Sequence, residues 1–384
     1  MKRIVVLGST GSIGRNVLDV VERHRDEFEL VGLAAGCNDE LLASQSVRHE
    51  AAMLTLSDPS AAARLRKSGL GARVVGTGDG ALVDLIEHTA PDLVVNAVVG
   101  FVGLRPTMSA LSAGISVAIA NKETIVTGGE ILLTTARESD ATLTPIDSEH
   151  VAIAQCLRGE RLEDVDSIIL TASGGALRDR APETLDAVTV AEVLAHPTWE
   201  MGQKITVDSA TLVNKGLEVI EAHWLFGVPY DNIEVVIHPQ SIVHSMVRFV
   251  DGSIMAQMGE PDMRMPILYA LSYPRRVPSD LRNDVRRFPD MTFTAVDAER
   301  YPCFELVIAA ARRGGNAPTI VNAANEVAVG AFLSGEIAFR AIRDMIAAAS
   351  DEVPWSSIQS MDDIQQTDQE TRRWIGKKFG VATG

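Results

Sequence analysis

Three carboxylate side chains have the type and setting of a divalent-metal site. Asp147 and Glu149 stand two residues apart directly after a predicted strand, so in an extended chain they would point to the same side. Glu218 lies in a predicted helix that begins near Lys215, and it is the candidate third carboxylate. Such hard oxygen ligands suit Mg²⁺ or Mn²⁺ and leave positions open for substrate oxygens. The competing interpretations are a solvated Asp-x-Glu edge and a surface salt bridge between Lys215 and Glu218.

Groups suited to a phosphate lie near the same predicted helix. Asn214 and Lys215 occupy its first turn, after the run 208–211, which includes Ser209. A helix N-terminus, small donors and a lysine can bind phosphate whatever the net charge of the protein. Ser173, in a glycine-rich segment after another predicted strand, offers a further hydroxyl. Together these residues predict a phosphate pocket.

A predicted loop at residues 196–202 has the composition of a lid. It combines His196, Trp199 and Gly202, as a segment that closes over a substrate would. Taken alone, His196 is more typical of a structural histidine and Trp199 of a core residue. Both interpretations stay open on these residues alone.

A dinucleotide-binding motif follows the first predicted strand. Residues 8–14 have the pattern G-x-x-G-x-x-G and open a predicted helix. Gly8 permits a tight turn, Gly11 lets the backbone approach a pyrophosphate, and Gly14 allows close packing of helix on strand. The motif begins a region of alternating strands and helices, which favours dinucleotide binding over a chance glycine triplet.

The end of the second predicted strand bears on the choice of cofactor. It reads Gly36-Cys37-Asn38, with no carboxylate at the tip to bind the ribose 2′-hydroxyl of NAD. This favours NADP, although Asp39 and Glu40 follow closely and no neighbouring Arg or Lys is present for the 2′-phosphate. A polar loop that only turns the chain is the alternative for Cys37 and Asn38.

The secondary-structure elements that must position these residues form regions with different predicted patterns of strands and helices. Up to residue 147, short β-branched runs alternate with helical patterns, which predicts a parallel sheet. Further on, Asp251-Gly252 predicts a hairpin and residues 273–302 carry four prolines, typical of a linker. We therefore predict an α/β protein with a Rossmann-like parallel-sheet nucleotide domain (1–147), a central α+β catalytic domain (148–272), a linker (273–302) and an α-helical C-terminal domain (303–384).

Composition narrows the class of partner and the compartment. The 384 residues carry a formal net charge of −16, which disfavours nucleic-acid binding. Three widely spaced cysteines fit neither a disulfide framework nor a zinc knuckle and indicate a reducing compartment. The first apolar run stops at Gly8, and no run of about 18 apolar residues occurs, so no membrane partner is expected. We expect a cytoplasmic protein.

Several ordered motifs resemble those of one enzyme family. They are the glycine motif 8–14, Asn121-Lys122-Glu123, and the segments 147–150, 198–204, 208–226, 238–241 and 259–264. Together they resemble 1-deoxy-D-xylulose 5-phosphate reductoisomerase over nearly the whole chain. The resemblance implies a homodimeric, NADPH-dependent, divalent-metal enzyme of the non-mevalonate isoprenoid pathway, with a phosphosugar substrate.

The resemblance also implies roles for individual residues. It implies that Asp147, Glu149 and Glu218 hold Mg²⁺ or Mn²⁺, with Co²⁺ a further candidate, and that Lys122 is catalytic with these three. The implied substrate-binding residues are Lys122, Ser148, Glu149, Ser173, His196, Trp199, Ser209, Asn214, Lys215, Glu218 and Met263. The implied cofactor-binding residues are Thr10, Gly11, Ser12, Ile13, Gly36, Cys37, Asn38, Asn121, Glu123 and Gly202. One departure is Cys37, because members of the family commonly place a basic residue there for the 2′-phosphate.

The implied reaction is a retro-aldol cleavage, a new aldol bond and reduction by NADPH to 2-C-methyl-D-erythritol 4-phosphate. Two alternatives stay open on the residues alone. A semialdehyde or homoserine-type dehydrogenase shares the nucleotide domain but has no use for three metal carboxylates. A non-catalytic NADP-sensing protein would tolerate the loss of Glu218.

Overall fold

The computed structural model describes residues 1–383, and the chain divides into two compact units. Unit 1 consists of Met1–Thr124, Leu132–Val151 and Asp262–Arg282. Unit 2 consists of Ile125–Ile131, Ala152–Pro261 and Asn283–Gly384. The division into three domains and a linker stays a prediction.

Unit 1 is built on a seven-stranded, fully parallel sheet. Its strands are β1 (Lys2–Leu7), β2 (Phe28–Ala35), β3 (Met53–Leu56), β4 (Val74–Thr77), β5 (Leu93–Asn96), β6 (Ser116–Ile119) and β7 (Leu143–Pro145). Their order is β4-β3-β2-β1-β5-β6-β7. The order reverses at β1, and ligands of such sheets bind at the carboxyl ends of the strands flanking that point. The predicted Rossmann-like parallel sheet is confirmed.

Helices cover this sheet because each strand is apolar on both faces. In β1, the side chains of Ile4, Val5, Val6 and Leu7 are all fully buried. The helices that contribute to unit 1 are α1 (Ser12–Arg23), α2 (Asp39–Arg48), α3 (Pro59–Leu65), α4 (Ala81–Thr89), α5 (Leu104–Ser112), α6 (Lys122–Glu138), α7 (Ser148–Cys156) and α11 (Arg264–Ser272). Parts of α6 and α7 belong to unit 2.

Unit 2 contains a mixed five-stranded sheet in the order β11-β10-β8-β9-β12. Its strands are β8 (Val165–Ala172), β9 (Ile233–Ile237), β10 (Val243–Phe249), β11 (Ile254–Met258) and β12 (Thr294–Ala295). Only β8 and β9 pair in parallel. The predicted hairpin joins β10 to β11, and the Ser253 N–H donates to Asp251 Oδ1 at 2.9 Å. Of the two turn residues only Gly252 has a positive φ, of 85°.

Helices form most of the rest of unit 2. They are α8 (Val190–Leu194), α9 (Gln203–Thr211), α10 (Val213–Phe226), α12 (Pro302–Arg313), α13 (Ala317–Leu333), α14 (Ala341–Glu352) and α15 (Met361–Phe379). The predicted C-terminal helices are confirmed, and Gly314 and Gly335 follow α12 and α13 with positive φ angles of 65° and 76°. Both helices begin slightly earlier than predicted, since a proline fits the first turn. Within residues 1–383 no helix has the length and apolar character needed to cross a membrane.

Candidate active site

The glycine motif of unit 1 forms a tight loop between β1 and α1. Gly8 has a φ of 84°, and the N–H groups of Gly8 and Ser9 donate to the Ala34 carbonyl at 3.0 and 2.9 Å. A Cβ on Gly14 would lie 2.2 Å from the Gly8 carbonyl oxygen, so only glycine allows this approach. Gly11 is the N-cap of α1, and no side chain caps that helix. The loop therefore leaves backbone N–H groups at a helix N-terminus for an anion.

The buried side-chain amide of Gln45 forms hydrogen bonds to this loop. The Ser9 hydroxyl donates to Gln45 Oε1 at 2.8 Å, and Gln45 Nε2 donates back to the Ser9 carbonyl at 2.9 Å. Ser9 is fully buried. Thr10, Ser12 and Ile13 are partly exposed around the turn. Sequence reasoning missed Gln45, because its contact with Ser9 depends on how α2 packs against the loop.

Cys37 and its neighbours follow β2 at its carboxyl end. Gly36, Cys37 and Asn38 are exposed, and Asn38 Oδ1 caps α2 by accepting the Leu41 N–H at 3.1 Å. A Cβ on Gly36 would meet no atom within 4 Å. The segment is therefore open to a ligand on the side of Gly36.

The first turn of α6 carries a second buried group of polar residues in unit 1. Asn121 caps the helix by accepting the Thr124 N–H at 3.2 Å. Its amide donates to Glu123 Oε2 at 3.0 Å and to the carbonyls of Val98 and Gly100 at 3.1 and 2.9 Å. Asn121, Lys122 and Glu123 are each at most 5% exposed. These contacts hold Asn121 and Glu123 together at the start of α6.

Lys122 and Asp147 form an ion pair. Lys122 Nζ lies 2.6 Å from Asp147 Oδ2, and the two side chains are 6% and 16% exposed. Asp147 follows β7, and its carbonyl accepts the Val151 N–H of α7 at 2.9 Å. The carboxylate therefore lies at the carboxyl edge of the parallel sheet, beside an ammonium group.

Asp147 and Glu149 were predicted to lie on one side of an extended chain, and this prediction is wrong. Helix α7 begins at Ser148, so Glu149 lies in its first turn. The Ser148 hydroxyl donates to Glu149 Oε2 at 2.5 Å. The geometry is that of a strand end followed at once by a helix N-terminus, where carboxylates are also favoured by the helix dipole.

In unit 2 the proposed phosphate residues of α10 contact Glu218. Asn214 Nδ2 donates to Glu218 Oε1 at 2.6 Å, and Lys215 Nζ pairs with Glu218 Oε2. The side chains of Lys215 and Glu218 are 4% and 1% exposed. The pair therefore exists but is buried, unlike a surface salt bridge. Helix α10 begins directly after Leu212, which has a φ of 60°.

The run 208–211, predicted to supply small donors before α10, is itself helical. It forms the end of α9, where Asp208 is buried and paired with Lys204 at 2.8 Å. Asn325 of α13 also donates to Asp208, at 2.8 Å. Ser209 is nearly buried on the same helix. Helical hydrogen bonds occupy the backbone N–H groups of this run, so the Ser209 hydroxyl, rather than the backbone, is its candidate donor to a ligand.

Ser173 and His196 lie together in unit 2. Ser173 Oγ lies 3.0 Å from His196 Nε2, and it accepts the Gly175 N–H at 3.2 Å. Gly175 packs on the backbone of α9, because a Cβ there would lie 2.6 Å from the Ser209 carbonyl oxygen. The structure thus brings the segment after β8 against the helix that carries Ser209, as a phosphate pocket requires.

His196 is held as a neutral ring. Its Nδ1 accepts the N–H groups of Thr198 and Trp199 at 3.2 and 2.9 Å, so Nε2 carries the proton and donates to Ser173. Burial, together with the charge of Arg178, lowers the pKa of His196 to about 4. Arg178 Nη1 also donates to the Ser173 carbonyl at 3.0 Å. Sequence reasoning missed this basic residue, since nothing in its local pattern marks it.

The remaining predicted site residues are distributed over both units. Trp199 is partly buried, with its ring centroid 6.2 Å from that of His244 in unit 2. Gly202 is the N-cap of α9, also in unit 2. Met263 precedes α11 and packs against the core of unit 1. Their roles as lid, cofactor contact and pocket wall stay predictions.

Family models match most of the chain. A model for 1-deoxy-D-xylulose 5-phosphate reductoisomerase matches residues 4–129, and one for the C-terminal domain of that enzyme matches residues 143–226. A third, described as DXP reductoisomerase C-terminal domain, matches residues 258–374.

Curated relatives and solved structures agree with these models. The 1-deoxy-D-xylulose 5-phosphate reductoisomerase of Chloroherpeton thalassium is 47% identical over 98% of each chain, and that of Bacillus subtilis is 44% identical over 98% of this chain and 99% of the relative. The structure of the Zymomonas mobilis enzyme in complex with NADPH is 38% identical, with a TM-score of 0.90 over 98% of this chain and 99% of that one. A DOX-P reductoisomerase in complex with NADPH, fosmidomycin and magnesium is 35% identical, with a TM-score of 0.94 over 99% of this chain and 98% of that one. These matches confirm the resemblance, and the chain belongs to the 1-deoxy-D-xylulose 5-phosphate reductoisomerase family.

Proposed function

We propose that the protein converts 1-deoxy-D-xylulose 5-phosphate to 2-C-methyl-D-erythritol 4-phosphate, using NADPH and a divalent metal, in the non-mevalonate isoprenoid pathway. The observation that carries the proposal is the shielded Lys122–Asp147 pair beside Glu149, in a chain whose relatives of this name match it over 98% of its length. Such a group of one ammonium and two carboxylates can serve both a cation and the oxygens of a polar substrate.

The residues of unit 1 fit NADPH. The glycine loop presents an uncapped helix N-terminus, and Gly36 leaves open space where a Cβ would stand. The backbone N–H groups of Ser12 and Ile13, in the first turn of α1, would bind the pyrophosphate. Asn121 and Glu123, locked to each other, would border the nicotinamide half. When bound, NADPH would supply the hydride for the reduction.

The proposed metal ligands are Asp147, Glu149 and Glu218. All three are oxygen donors, and each is oriented by a neighbour in its own unit: Asp147 by Lys122, Glu149 by Ser148 and Glu218 by Asn214. This donor set fits Mg²⁺ or Mn²⁺, with Co²⁺ a third candidate. When bound, the ion would act as a Lewis acid on the carbonyl and hydroxyl oxygens of the substrate.

The phosphate of the substrate would be bound by residues of unit 2. Ser173, His196 and Ser209 come from the adjoining segments around Gly175, and Asn214 and Lys215 from the first turn of α10. His196, neutral and donating through Nε2, would contribute a hydrogen bond rather than a charge. Binding energy at this remote group would hold the two fragments of a cleaved substrate in position.

Lys122 would act on the reacting part of the substrate, and Trp199 would belong to the loop that covers it. The Lys122 ammonium, buried and paired with Asp147, would donate a hydrogen bond to a substrate oxygen on which negative charge develops. The loop that carries Trp199 would close over the site and exclude water from the reactive fragments.

The test is consumption of NADPH by the purified protein. We expect a fall in NADPH absorbance only when both Mg²⁺ and 1-deoxy-D-xylulose 5-phosphate are present, and EDTA should stop it. Unchanged absorbance with all three components would refute the proposal. Activity insensitive to EDTA would favour a dehydrogenase that needs no metal.

We also propose a homodimer in the cytoplasm. Edge strand β11 exposes Ile254, Met255 and Met258 by 51%, 37% and 36%, and an uncovered apolar edge of this kind is typical of a contact between subunits.

The three cysteines are free, which suits a reducing compartment.

A further inference from the structure

We propose that Arg64 binds the 2′-phosphate of NADPH beside the carboxyl end of β2, where the chain itself has Cys37 and no basic residue. The inference deepens the proposed function and rests on it. Arg64 would determine the cofactor specificity, and it lies in α3 rather than in the segment that follows β2.

The structure places Arg64 beside the end of β2. Arg64 Nη2 lies 2.6 Å from Asp39 Oδ1, and Nε lies 3.2 Å from both oxygens of that carboxylate. Asp39 directly follows Asn38, the cap of α2. The pKa of Arg64 is raised, chiefly by the hydrogen bond to Asp39, with Cys37 among the smaller influences. The guanidinium therefore lies beside Asp39, two residues after Cys37.

Backbone hydrogen bonds hold the two segments together. The Ser57 N–H donates to the Ala35 carbonyl at 3.1 Å, and the Asp58 N–H donates to the Gly36 carbonyl at 3.0 Å. The chain after β3 therefore runs alongside the chain after β2, and α3 begins there with Asp58 as its cap. Arg64, near the end of α3, reaches back to Asp39.

Arg64 retains donors for a ligand. Its side chain is 57% exposed, whereas that of Asp39 is 14% exposed. Of the five guanidinium N–H groups, Nε and one on Nη2 donate to Asp39, and one on Nη1 donates weakly to Ser60 at 3.4 Å. The other two have no partner among the described residues, and a phosphate can accept such a pair.

The same geometry disfavours NAD. A carboxylate at the end of the second strand binds the ribose 2′-hydroxyl of NAD, whereas an arginine there accommodates the 2′-phosphate of NADP. Asp39 is engaged by Arg64 through both oxygens, and the hydrogen bond lowers the pKa of Asp39. Asp58 is engaged as the cap of α3, accepting from Ser60 and Ala61. Both carboxylates therefore already have partners.

The experiment measures binding of NADPH and NADH to the full chain by calorimetry, without substrate or turnover. Charge-assisted hydrogen bonds of this kind predict that Arg64→Gln weakens NADPH binding roughly 10- to 100-fold. NADH binding should not weaken, because the Asp39 carboxylate released by the substitution can only favour the ribose 2′-hydroxyl. The exposed pair with Asp39 contributes little to stability, so the variant should fold. The matched control is Arg48→Gln, which removes an exposed arginine of α2 paired with Glu22 at 2.7 Å and should change neither affinity.

A rescue variant completes the design. Cys37→Lys in the Arg64→Gln background should restore the preference for NADPH, because it returns a cation to the exposed loop at the carboxyl end of β2. A preference for NADPH that survives Arg64→Gln would overturn the inference, and so would an equal loss for both cofactors, which indicates a structural role. If the unchanged protein binds NADPH and NADH equally, the 2′-phosphate is not recognised and only this inference fails. If it binds neither, the proposed function fails as well.

Discussion

The glycine loop allows a prediction that separates packing from ligand binding. In Gly14→Ala the new Cβ would lie 2.2 Å from the Gly8 carbonyl oxygen and 2.6 Å from Ser9 Cα. Both are backbone atoms, so no side chain can rotate away. In Gly11→Ala the nearest atom is the Gly8 oxygen at 3.4 Å, and the φ of Gly11, −73°, suits alanine. The first change should therefore damage the fold and the second should not.

The expected magnitudes follow from these distances. Overpacking costs about 1–3 kcal/mol, and Gly14→Ala should lie at or above the upper value because the loop itself must move. At about 2–4 °C for each kcal/mol in a domain of this size, the melting temperature of unit 1 should fall by roughly 6–12 °C. Gly11→Ala loses only a preferred cap, worth less than about 1 kcal/mol. Its methyl group, however, would stand where the pyrophosphate approaches, so NADPH affinity should fall roughly tenfold.

The assay combines thermal unfolding with calorimetric titration of NADPH. All four tryptophans, at positions 199, 224, 355 and 374, belong to unit 2, so the unfolding of unit 1 must be followed by circular dichroism or hydrogen exchange of β1. Normal stability and normal affinity of Gly14→Ala would refute the described packing of the loop. Unchanged affinity of a stable Gly11→Ala variant would refute the approach of the pyrophosphate to this backbone.

Three further predictions concern unit 2. The pKa of His196 is about 4 when folded and ordinarily 6.5, so the folded state resists protonation, and its stability should fall as the pH drops from about 6.5 to 4; urea unfolding of His196→Asn should show a smaller fall. Glu218→Gln should nearly abolish turnover and the thermal stabilisation by Mg²⁺, whereas Glu234→Gln, which alters an ion pair on β9, should leave both intact. Met255→Lys should yield a monomer in light scattering and Val250→Lys, in the exposed turn, should not; a dimeric Met255→Lys would argue against the β11 edge as the interface.

Much of the fold can be predicted from the sequence because its signals are local. Gly8 and Gly14 mark a turn between one strand and one helix, and Asp251-Gly252 marks a turn between paired strands. The glycines after α12 and α13 mark helix ends in the same way. Each of these features depends on backbone conformation within a few residues, which a pattern in the sequence reports directly.

The site is less predictable because its contacts join distant residues. The positions of Gln45 and Arg64 follow from how α2 and α3 pack, and no pattern near either residue indicates a ligand. The predicted backbone conformation at Glu149 is wrong for a different reason. The strand before Asp147 favours a continued extended chain, whereas helix α7 begins at Ser148. The prediction that Asp147 and Glu149 hold a metal together still stands as a prediction, since a helix start also keeps neighbouring carboxylates accessible.

The two lysine–carboxylate pairs are better explained by chemistry than by stability. The net charge of −16 describes the surface, whereas Lys122–Asp147 and Lys215–Glu218 are largely shielded from solvent and locally near neutral. Buried ion pairs are weak stabilisers, because desolvation of both charges offsets their attraction, and apolar residues of similar volume often do as well or better. A protein has reason to retain such pairs where the charges themselves act on a ligand. In the proposed reaction, the carboxylate of each pair would bind the cation. The Lys122 ammonium would serve the enolate oxygen, and the Lys215 ammonium would serve the phosphate.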